Sequence, residues 1–190
     1  RRFNKNSLES SLRYLDECRA VMDFLPYQPL ISVIVPVYKV KRQYLEEMLA
    51  SLSFQVYTKW QLCIVDDCSK QEELTECILA FKKKYPKKVF YKKNVTNLHI
   101  SQSSNVCLQM AQGDYVTFLD HDDRLYPHSL FEMVRWICRY NRPKILYSDE
   151  RLIDEKGYWI GEPYLKPSYS EQLLLEYNYI THMVFYKKEL

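Results

Sequence analysis

The stretch "LISVIVPV" at residues 30–37 is a nearly continuous run of apolar, mostly β-branched residues, and the polar pair "YK" follows it. A strand covered on both faces of a parallel sheet has this composition, so the run predicts a buried central strand. The next segment predicts an amphipathic helix, with apolar residues three and four positions apart at Tyr44, Leu45, Met48, Leu49 and Leu52. A buried strand followed at once by such a helix is the repeating unit of an α/β fold.

The alternation of strand and helix continues through residue 149. Further strands are predicted by "WQLCIVDD" (60–67), "KVFYKK" (88–93), "YVTFLD" (115–120) and "KILYSD" (144–149). Between them, helical periodicity covers residues 74–85, 101–111 and 127–140, and Gly113 is predicted to cap the helix before it. This order predicts an α/β fold with an open, mostly parallel sheet and helices on both faces.

After residue 149 the alternation stops. A turn is predicted at "DEKG" (154–157), a short helix in "YSEQLLLEY" (169–177) and a strand in "NYITHMVFY" (178–186). At the other end, residues 1–28 predict a helical arm that precedes a main domain of residues 29–190. The apolar stripe of this arm is Leu8, Leu12, Leu15, Cys18 and Met22. The prolines of "PYQP" (26–29) end the helix, and the sequence leaves open whether the arm packs on its own domain.

Composition narrows the class of protein. The chain of 190 residues has a net charge of only +3, so no nucleic-acid partner is expected. Its six cysteines form no CxxC pair, which predicts reduced thiols in the core of a cytoplasmic protein rather than a zinc site. No apolar stretch has the length of a membrane span. Peripheral association with the inner face of a membrane and the oligomeric state are left open.

Acidic residues follow two of the predicted strands. Asp66 and Asp67 end the second strand, and Asp120, Asp122 and Asp123 follow the fourth. Open α/β sheets bind ligands beyond the carboxyl ends of their strands, so both groups are candidates for a binding site. Like charges this close raise one another's pKa, and a fold that keeps three of them together needs a compensating positive charge.

Helix capping accounts for the pair at 66–67 as well as ligand binding does, but a cap needs one carboxylate rather than three. Clustered carboxylates suit Mg²⁺ or Mn²⁺, which leave part of their coordination shell to water and phosphate. The chain has three glycines and no glycine-rich phosphate loop. We therefore expect a divalent ion that holds a phosphate compound. By strand alternation, His121 is predicted to point away from Asp120 and Asp122.

Four blocks together resemble glycosyltransferase family 2, which has the GT-A fold. They are "SVIVPVYK", "IVDDCS", "GDYVTFLDHDD" and "YSDE" with the later "KG" and "KP". The resemblance extends over residues 29–190 and is closest to a subgroup that builds bacterial surface polysaccharides. It implies a nucleotide-diphosphate sugar as donor and a saccharide or lipid-linked saccharide as acceptor.

The resemblance also implies roles for the matching positions. The nucleotide would contact Pro36, Val37, Tyr38, Asp66, Asp67, Asn105 and Asp120. The ion, Mg²⁺ or Mn²⁺, would be bound by Asp120, Asp122 and Asp123. The donor-sugar and acceptor side would include Asp149, Glu150, Lys166 and His182.

The sequence departs from the family pattern at three places. Lys39 stands where family members often have Asn, and His99 stands where they often have Gly, so we expect a narrower nucleotide cleft. The family's general base is an acidic residue in a downstream motif, which we expect beyond Leu190. The resemblance further implies that the sugar is transferred in one displacement that inverts the anomeric centre.

Three other functions are compatible with paired acids at strand ends. A module that binds the nucleotide sugar without turnover stays open, because the expected base is not in this sequence. A phosphoacceptor receiver domain would need its acid pair after the first strand, where "PVY" stands. A nucleotidyltransferase would need a glycine-rich loop there, and "VYKVKRQ" contains no glycine.

Overall fold

The computed structural model describes residues 5–190, and the side chains of residues 9–190. The helices are α1 Lys5–Met22, α2 Arg42–Ser53, α3 Glu72–Lys84, α4 His99–Met110, α5 Ser129–Arg139 and α6 Glu171–Glu176. The strands are β1 Ile31–Val37, β2 Trp60–Asp66, β3 Val89–Lys93, β4 Tyr115–Phe118, β5 Ile145–Tyr147, β6 Glu150–Ile153, β7 Trp159–Tyr164 and β8 Val184–Lys187. The predicted alternation of strand and helix up to residue 149 is confirmed.

Six strands form the main sheet, in the order β3-β2-β1-β4-β8-β5. Strands β1 to β4 are parallel, whereas β8 runs antiparallel to both of its neighbours, β4 and β5. The last strand of the sequence therefore lies inside the sheet. It separates β5 from β4, the strand that precedes β5 in the chain.

Side chains alternate between the two faces of the sheet, as period-two packing requires. One face carries Val33, Val35, Leu62 and Ile64 into the large core formed with α2, α3 and α5. The other face carries Ile34, Cys63 and Val65 into a smaller core with Cys107 of α4. Helices therefore cover both faces, as the sequence predicts.

The helix α1 packs on its own domain. Cys18 is buried in the large core, and Leu15 and Met22 lie against it, whereas Leu12 of the predicted stripe is 52% exposed. Tyr14 donates a hydrogen bond to Glu132 of α5. Residues 1–4 of the predicted arm and the side chain of Leu8 lie outside the described residues.

Two features of the fold were not predicted. Strands β6 and β7 pair as an antiparallel hairpin around the predicted turn at 154–157, apart from the main sheet. Gly113 is not the helix cap that the sequence predicted, because Ala111 ends α4 in an extended conformation. Its role is close packing: a Cβ at Gly113 would lie 2.6 Å from both Leu30 O and Ser32 Oγ.

A buried polar network fixes the entry into β4. The amide of Gly113 donates to Ser32 Oγ (2.8 Å), and that hydroxyl donates to Gln61 Oε1 (3.0 Å). Gln61 Oε1 also accepts from the amide of Gln112 (2.7 Å). Since Ser32 and Gln61 are both buried, these bonds hold the start of β4 against β1 and β2.

All six cysteines are free thiols, and Cys18, Cys63, Cys77 and Cys107 are buried, as predicted. Burial raises the pKa of the Cys63 thiol to about 12, so it stays protonated. Within residues 5–190, no helix combines the length and the apolar character needed to span a bilayer.

We predict that Gly113→Ala lowers the free energy of unfolding by about 2–3 kcal/mol, because the new methyl group meets backbone atoms of Leu30 and Ser32 and the buried, hydrogen-bonded hydroxyl of Ser32. Urea unfolding measures the change. Gly161→Ala is the control, since no atom lies within 4 Å of a Cβ there. Its left-handed backbone alone should cost roughly 1 kcal/mol. An equal or smaller loss at Gly113 would contradict the packing argument.

Candidate functional site

The carboxyl ends of β1 to β4 meet at one edge of the sheet. Strand β1 pairs in parallel with both β2 and β4, so the chain order reverses between β1 and β4. Crevices at such reversals are the usual ligand sites of open α/β sheets. The residues that follow these four strands are the ones that a ligand would meet.

The acid pair after β2 does not cap the helix that follows it. The N-terminal cap position of α3 is Gln71, which makes no side-chain capping bond. Asp66 Oδ1 instead accepts from the amide of Ser69 (2.9 Å), which closes the turn after β2. The capping alternative for this pair is therefore wrong.

Asp67 is held by donors from two other segments. Its Oδ1 accepts from Asn94 Nδ2 and from the amide of Leu98, both at 2.8 Å. Asn94 Nδ2 also lies 3.0 Å from Ser103 Oγ in α4. Burial alone would raise the pKa of the Asp67 carboxyl, but these hydrogen bonds outweigh it and lower that pKa below its ordinary value. Asp67 is an ionised, fixed acceptor.

Asn94 and Ser103 are site residues that our sequence reasoning missed. Both are buried, and they link the ends of β2 and β3 to α4. The signal for Asn94 was its place directly after the third strand, at the same edge as Asp67. Ser103 carried no comparable signal, because a serine inside a helix is ordinary.

Four residues along this edge have a left-handed backbone: Lys39 (φ 46°), Cys68 (61°), Lys70 (57°) and His99 (63°). This conformation favours Gly and Asn and costs other residues about 1 kcal/mol or more. Lys39 and His99 are the two positions where the sequence departs from the family's Asn and Gly. The departures therefore fall where the backbone itself favours the family residue.

The remaining predicted nucleotide residues lie around the same edge. Val37 is buried and Pro36 is partly buried, while the ring of Tyr38 is 41% exposed beside them. Asn105 lies in α4 and is exposed. Their contact with a nucleotide stays a prediction.

The acids after β4 are brought close to a histidine from the loop before β8. One ligand atom each from Asp120, Asp123 and His182 lies within 4.8 Å of the others. Asp123 Oδ2 is 3.5 Å from His182 Nδ1. This group includes His182, which the sequence assigned to the donor and acceptor side.

Asp122 is more exposed and faces a different histidine. Its Oδ1 is 3.4 Å from His121 Nδ1, so His121 does not point away from Asp122. The prediction from strand alternation is wrong here because β4 ends at Phe118 and residues 121–122 form a turn. That Asp122 binds the ion stays a prediction.

The acid cluster carries an electrostatic cost. Burial raises the pKa of the Asp123 carboxyl; His182 lowers it, and the charges of Asp120, Asp122 and Glu150 raise it again. Among residues 9–190, no Lys or Arg lies within 4.0 Å of Asp120, Asp122 or Asp123. Arg124 follows directly but pairs with Glu47 of α2 at 2.6 Å.

A cavity of about 540 Å³ opens beside this cluster. Its walls are the end of β4, the end of β5 and the β6–β7 hairpin, and it is lined by Asp120, Asp122, Asp123, Asp149, Glu150 and His182, among others. The predicted metal residues and three of the four donor-side residues therefore share one cavity. Lys166 is not among the lining residues, and neither are Tyr38, Asp67 and Asn105.

The two carboxylates suit Mn²⁺ and Mg²⁺ alike, whereas the imidazole nitrogen suits Mn²⁺ and not Mg²⁺, which takes oxygen ligands. Burial and, after it, the charges of the neighbouring acids raise the pKa of Asp123, and a cation bound there would offset both effects. Asp120, Asp123 and His182 are thus the residues that would hold the ion.

The arrangement of strand ends has a counterpart in a known family. The model of glycosyl transferase family 2 matches residues 32–189. The chain belongs to glycosyltransferase family 2. The match runs from Ser32 in β1 to Glu189 after β8, so it includes the acids that follow β2 and those that follow β4.

Two curated relatives of this family 2 chain are several times longer than it is. It is 38% identical over 82% of its residues to the uncharacterized protein y4gI of Sinorhizobium fredii. It is 31% identical over 87% of its residues to the O-antigen biosynthesis protein RfbC of Myxococcus xanthus. The chain spans only 17% and 13% of these proteins.

Solved structures share the GT-A fold of family 2. S. aureus TarS 1–349 in complex with UDP is 27% identical with a TM-score of 0.58, and the match covers 67% of this chain and 37% of that one. The mannosyltransferase PcManGT from Pyrobaculum calidifontis, in complex with GDP-Man and Mn²⁺, has a TM-score of 0.59 over 76% of this chain and 44% of that one. At 20% identity, the second shows the fold alone.

We predict that Asp67→Asn lowers the free energy of unfolding at neutral pH and has little effect on it in acid. The pKa of Asp67 is lower in the folded chain than its ordinary value of 3.8. Ionised Asp67 therefore stabilises the fold at pH values above 3.8, and this contribution is lost as the pH falls through the lowered pKa. Unfolding free energies of the two chains should therefore differ at pH 7 and converge towards pH 2. Chemical denaturation across that range measures the difference. A constant gap at every pH would contradict the assignment.

We also predict that Asp123→Asn slightly raises the thermal midpoint of the metal-free chain at pH 7. The raised pKa means that the ionised carboxylate destabilises the fold at that pH, and Asn removes the charge. About half of the side chain faces solvent, so screening keeps the gain small. Asp23→Asn, at an exposed acid just after α1, is the control for removing an acid. A lower midpoint for Asp123→Asn would show that the cluster is not strained.

Proposed function

We propose that this chain forms the donor site of a glycosyltransferase that uses a nucleotide-diphosphate sugar and a divalent ion in bacterial surface-polysaccharide synthesis. The observation that carries the proposal is the convergence of Asp120, Asp123 and His182 at the end of β4, beside the strand reversal. RfbC, a protein of O-antigen biosynthesis, and TarS, seen with UDP and with UDP-GlcNAc, support the same class.

In this proposal, residues after β1 and β2 bind the nucleobase, and residues after β4 bind the diphosphate and the sugar. Asp67, fixed by Asn94 and the amide of Leu98, offers a rigid carboxylate to the N–H donors of a nucleobase. The exposed ring of Tyr38 offers a face on which a base could stack. The diphosphate and the sugar would then extend along the sheet edge towards the cavity at β4.

A divalent ion held by Asp120, Asp123 and His182 would supply the positive charge that stabilises the leaving diphosphate. Asp149 and Glu150, which line the same cavity, would accept hydrogen bonds from sugar hydroxyls. Transfer to a saccharide or lipid-linked saccharide acceptor in one inverting displacement is part of the proposal. So is a cytoplasmic location, because nucleotide sugars are polar and cannot cross a bilayer unaided.

We predict that the chain binds UDP or GDP more tightly with Mn²⁺ than with EDTA. Asp120→Asn should weaken Mn²⁺-dependent binding at least tenfold, since a lost charged contact is worth about 1.5–3 kcal/mol. Isothermal calorimetry measures the affinities, and Asp16→Asn serves as the control.

The same assay decides the role of Asp122. If this carboxylate turns towards the ion, Asp122→Ala weakens binding as strongly as Asp120→Asn does. Equal affinity in Mn²⁺ and EDTA would contradict metal-dependent donor binding. Tight donor binding without sugar transfer to any acceptor would favour the binding module that the sequence left open.

A further inference from the structure

Lys166 is enclosed although lysine is rarely buried. Its side chain is 1% exposed, and Nζ lies 3.9 Å from Glu150 Oε1. Burial lowers the pKa of the ammonium, while Glu150 and Asp149 oppose that change. A buried lysine needs acceptors for its donors, and these acceptors indicate what it holds.

Two of the three Nζ donors of Lys166 bind the backbone at Thr181 and His182. Nζ donates to the carbonyl oxygen of Thr181 and to that of His182, the latter at 2.7 Å. The backbone amide of Lys166 donates to Asp149 Oδ1 (2.8 Å), which ties the lysine to the end of β5. A cation occupied in this way, and absent from the cavity lining, is not available to a diphosphate.

The loop that Lys166 binds is also held by Ser148. The amide of Ser148 donates to the carbonyl of Met183 (3.0 Å), and the amide of Met183 donates to Ser148 Oγ (3.3 Å). Between these ties, His182 has φ 45°, a conformation that a non-glycine residue keeps only when its surroundings impose it. Its imidazole meets Asp123 at 3.5 Å.

We propose that Lys166 is a positioning residue that fixes the Thr181–His182 backbone so that the imidazole of His182 faces Asp123. The side chain touches neither the donor nor the ion. Only the consequence for ion binding rests on the proposed function. The placement of His182 does not.

The first experiment uses the metal-free chain. In Lys166→Met, which keeps the length of the side chain and removes its donors, the amide of Met183 should exchange with deuterium roughly 10- to 100-fold faster. Lys188→Met is the matched control, because Lys188 Nζ also donates to a backbone carbonyl, that of Ala111, before β4. Unchanged exchange at Met183, or equal acceleration in the control, would overturn the proposal.

The second experiment reads His182 through Mn²⁺. Pulsed electron paramagnetic resonance should detect a nitrogen coupled to Mn²⁺ in the unchanged chain, and His182→Ala should abolish it. Lys166→Met should lose the same signal and bind Mn²⁺ roughly 10- to 100-fold more weakly, as for other residues that orient a ligand. A full nitrogen signal in Lys166→Met would overturn the positioning role.

The two experiments test the proposed function and the positioning role of Lys166 separately. If the unchanged chain binds no Mn²⁺, the proposed function fails, and exchange at Met183 alone decides the role of Lys166. If Lys166→Met does not fold, nitrogen NMR of the unchanged chain decides it. The Nζ protons of Lys166 should exchange with water far more slowly than those of exposed Lys70. Equal rates would overturn the proposal.

Discussion

The repulsion among the acids after β4 is the constraint on which the site depends. Asp120 and Asp123 are brought within reach of each other by a tight turn, with the Asp123 amide bonded to the Asp120 carbonyl at 3.2 Å. Arg124, which follows these acids in the sequence, is paired with Glu47 of α2. The imidazole of His182, from the loop before β8, faces the acids instead. The chain keeps negative charge uncompensated where a divalent cation, which would also bind a phosphate compound, would supply the balance.

Much of the fold follows from the sequence because its strands are buried on both faces. Apolar, β-branched runs such as residues 31–37 fit a strand that is covered on both faces of a sheet. The helices between such strands have clear apolar stripes at helical spacing. The acids at 66–67 and 120–123 were found for the same reason, since the end of a buried strand places them at the ligand edge. Pattern alone did not reveal the β6–β7 hairpin. No residue of β6 is buried and β7 is exposed throughout, so the apolar alternation that marks a half-buried strand is missing.

The other surprises came from contacts between segments far apart in the chain. Asn94, Ser103 and Lys166 owe their roles to partners that only the tertiary structure brings close. The contact between Asp123 and His182 has the same origin. The sequence predicts His182 inside a strand, but β8 begins at Val184, and the loop before it brings His182 to the cavity. A sequence pattern reports local periodicity, whereas these pairings depend on loop geometry.

The insertion of β8 between β4 and β5 has a consequence for the growing chain on the ribosome. Until β8 emerges, β5 has no partner in the sheet and one edge of β4 is uncovered. The forty residues that follow Tyr147, up to and including Lys187, take roughly 2–8 s to synthesise. During that interval the open edge of β4 can pair with a strand of a neighbouring nascent chain, as uncovered edges do. Completion of the sheet is therefore tied to the arrival of its last strand.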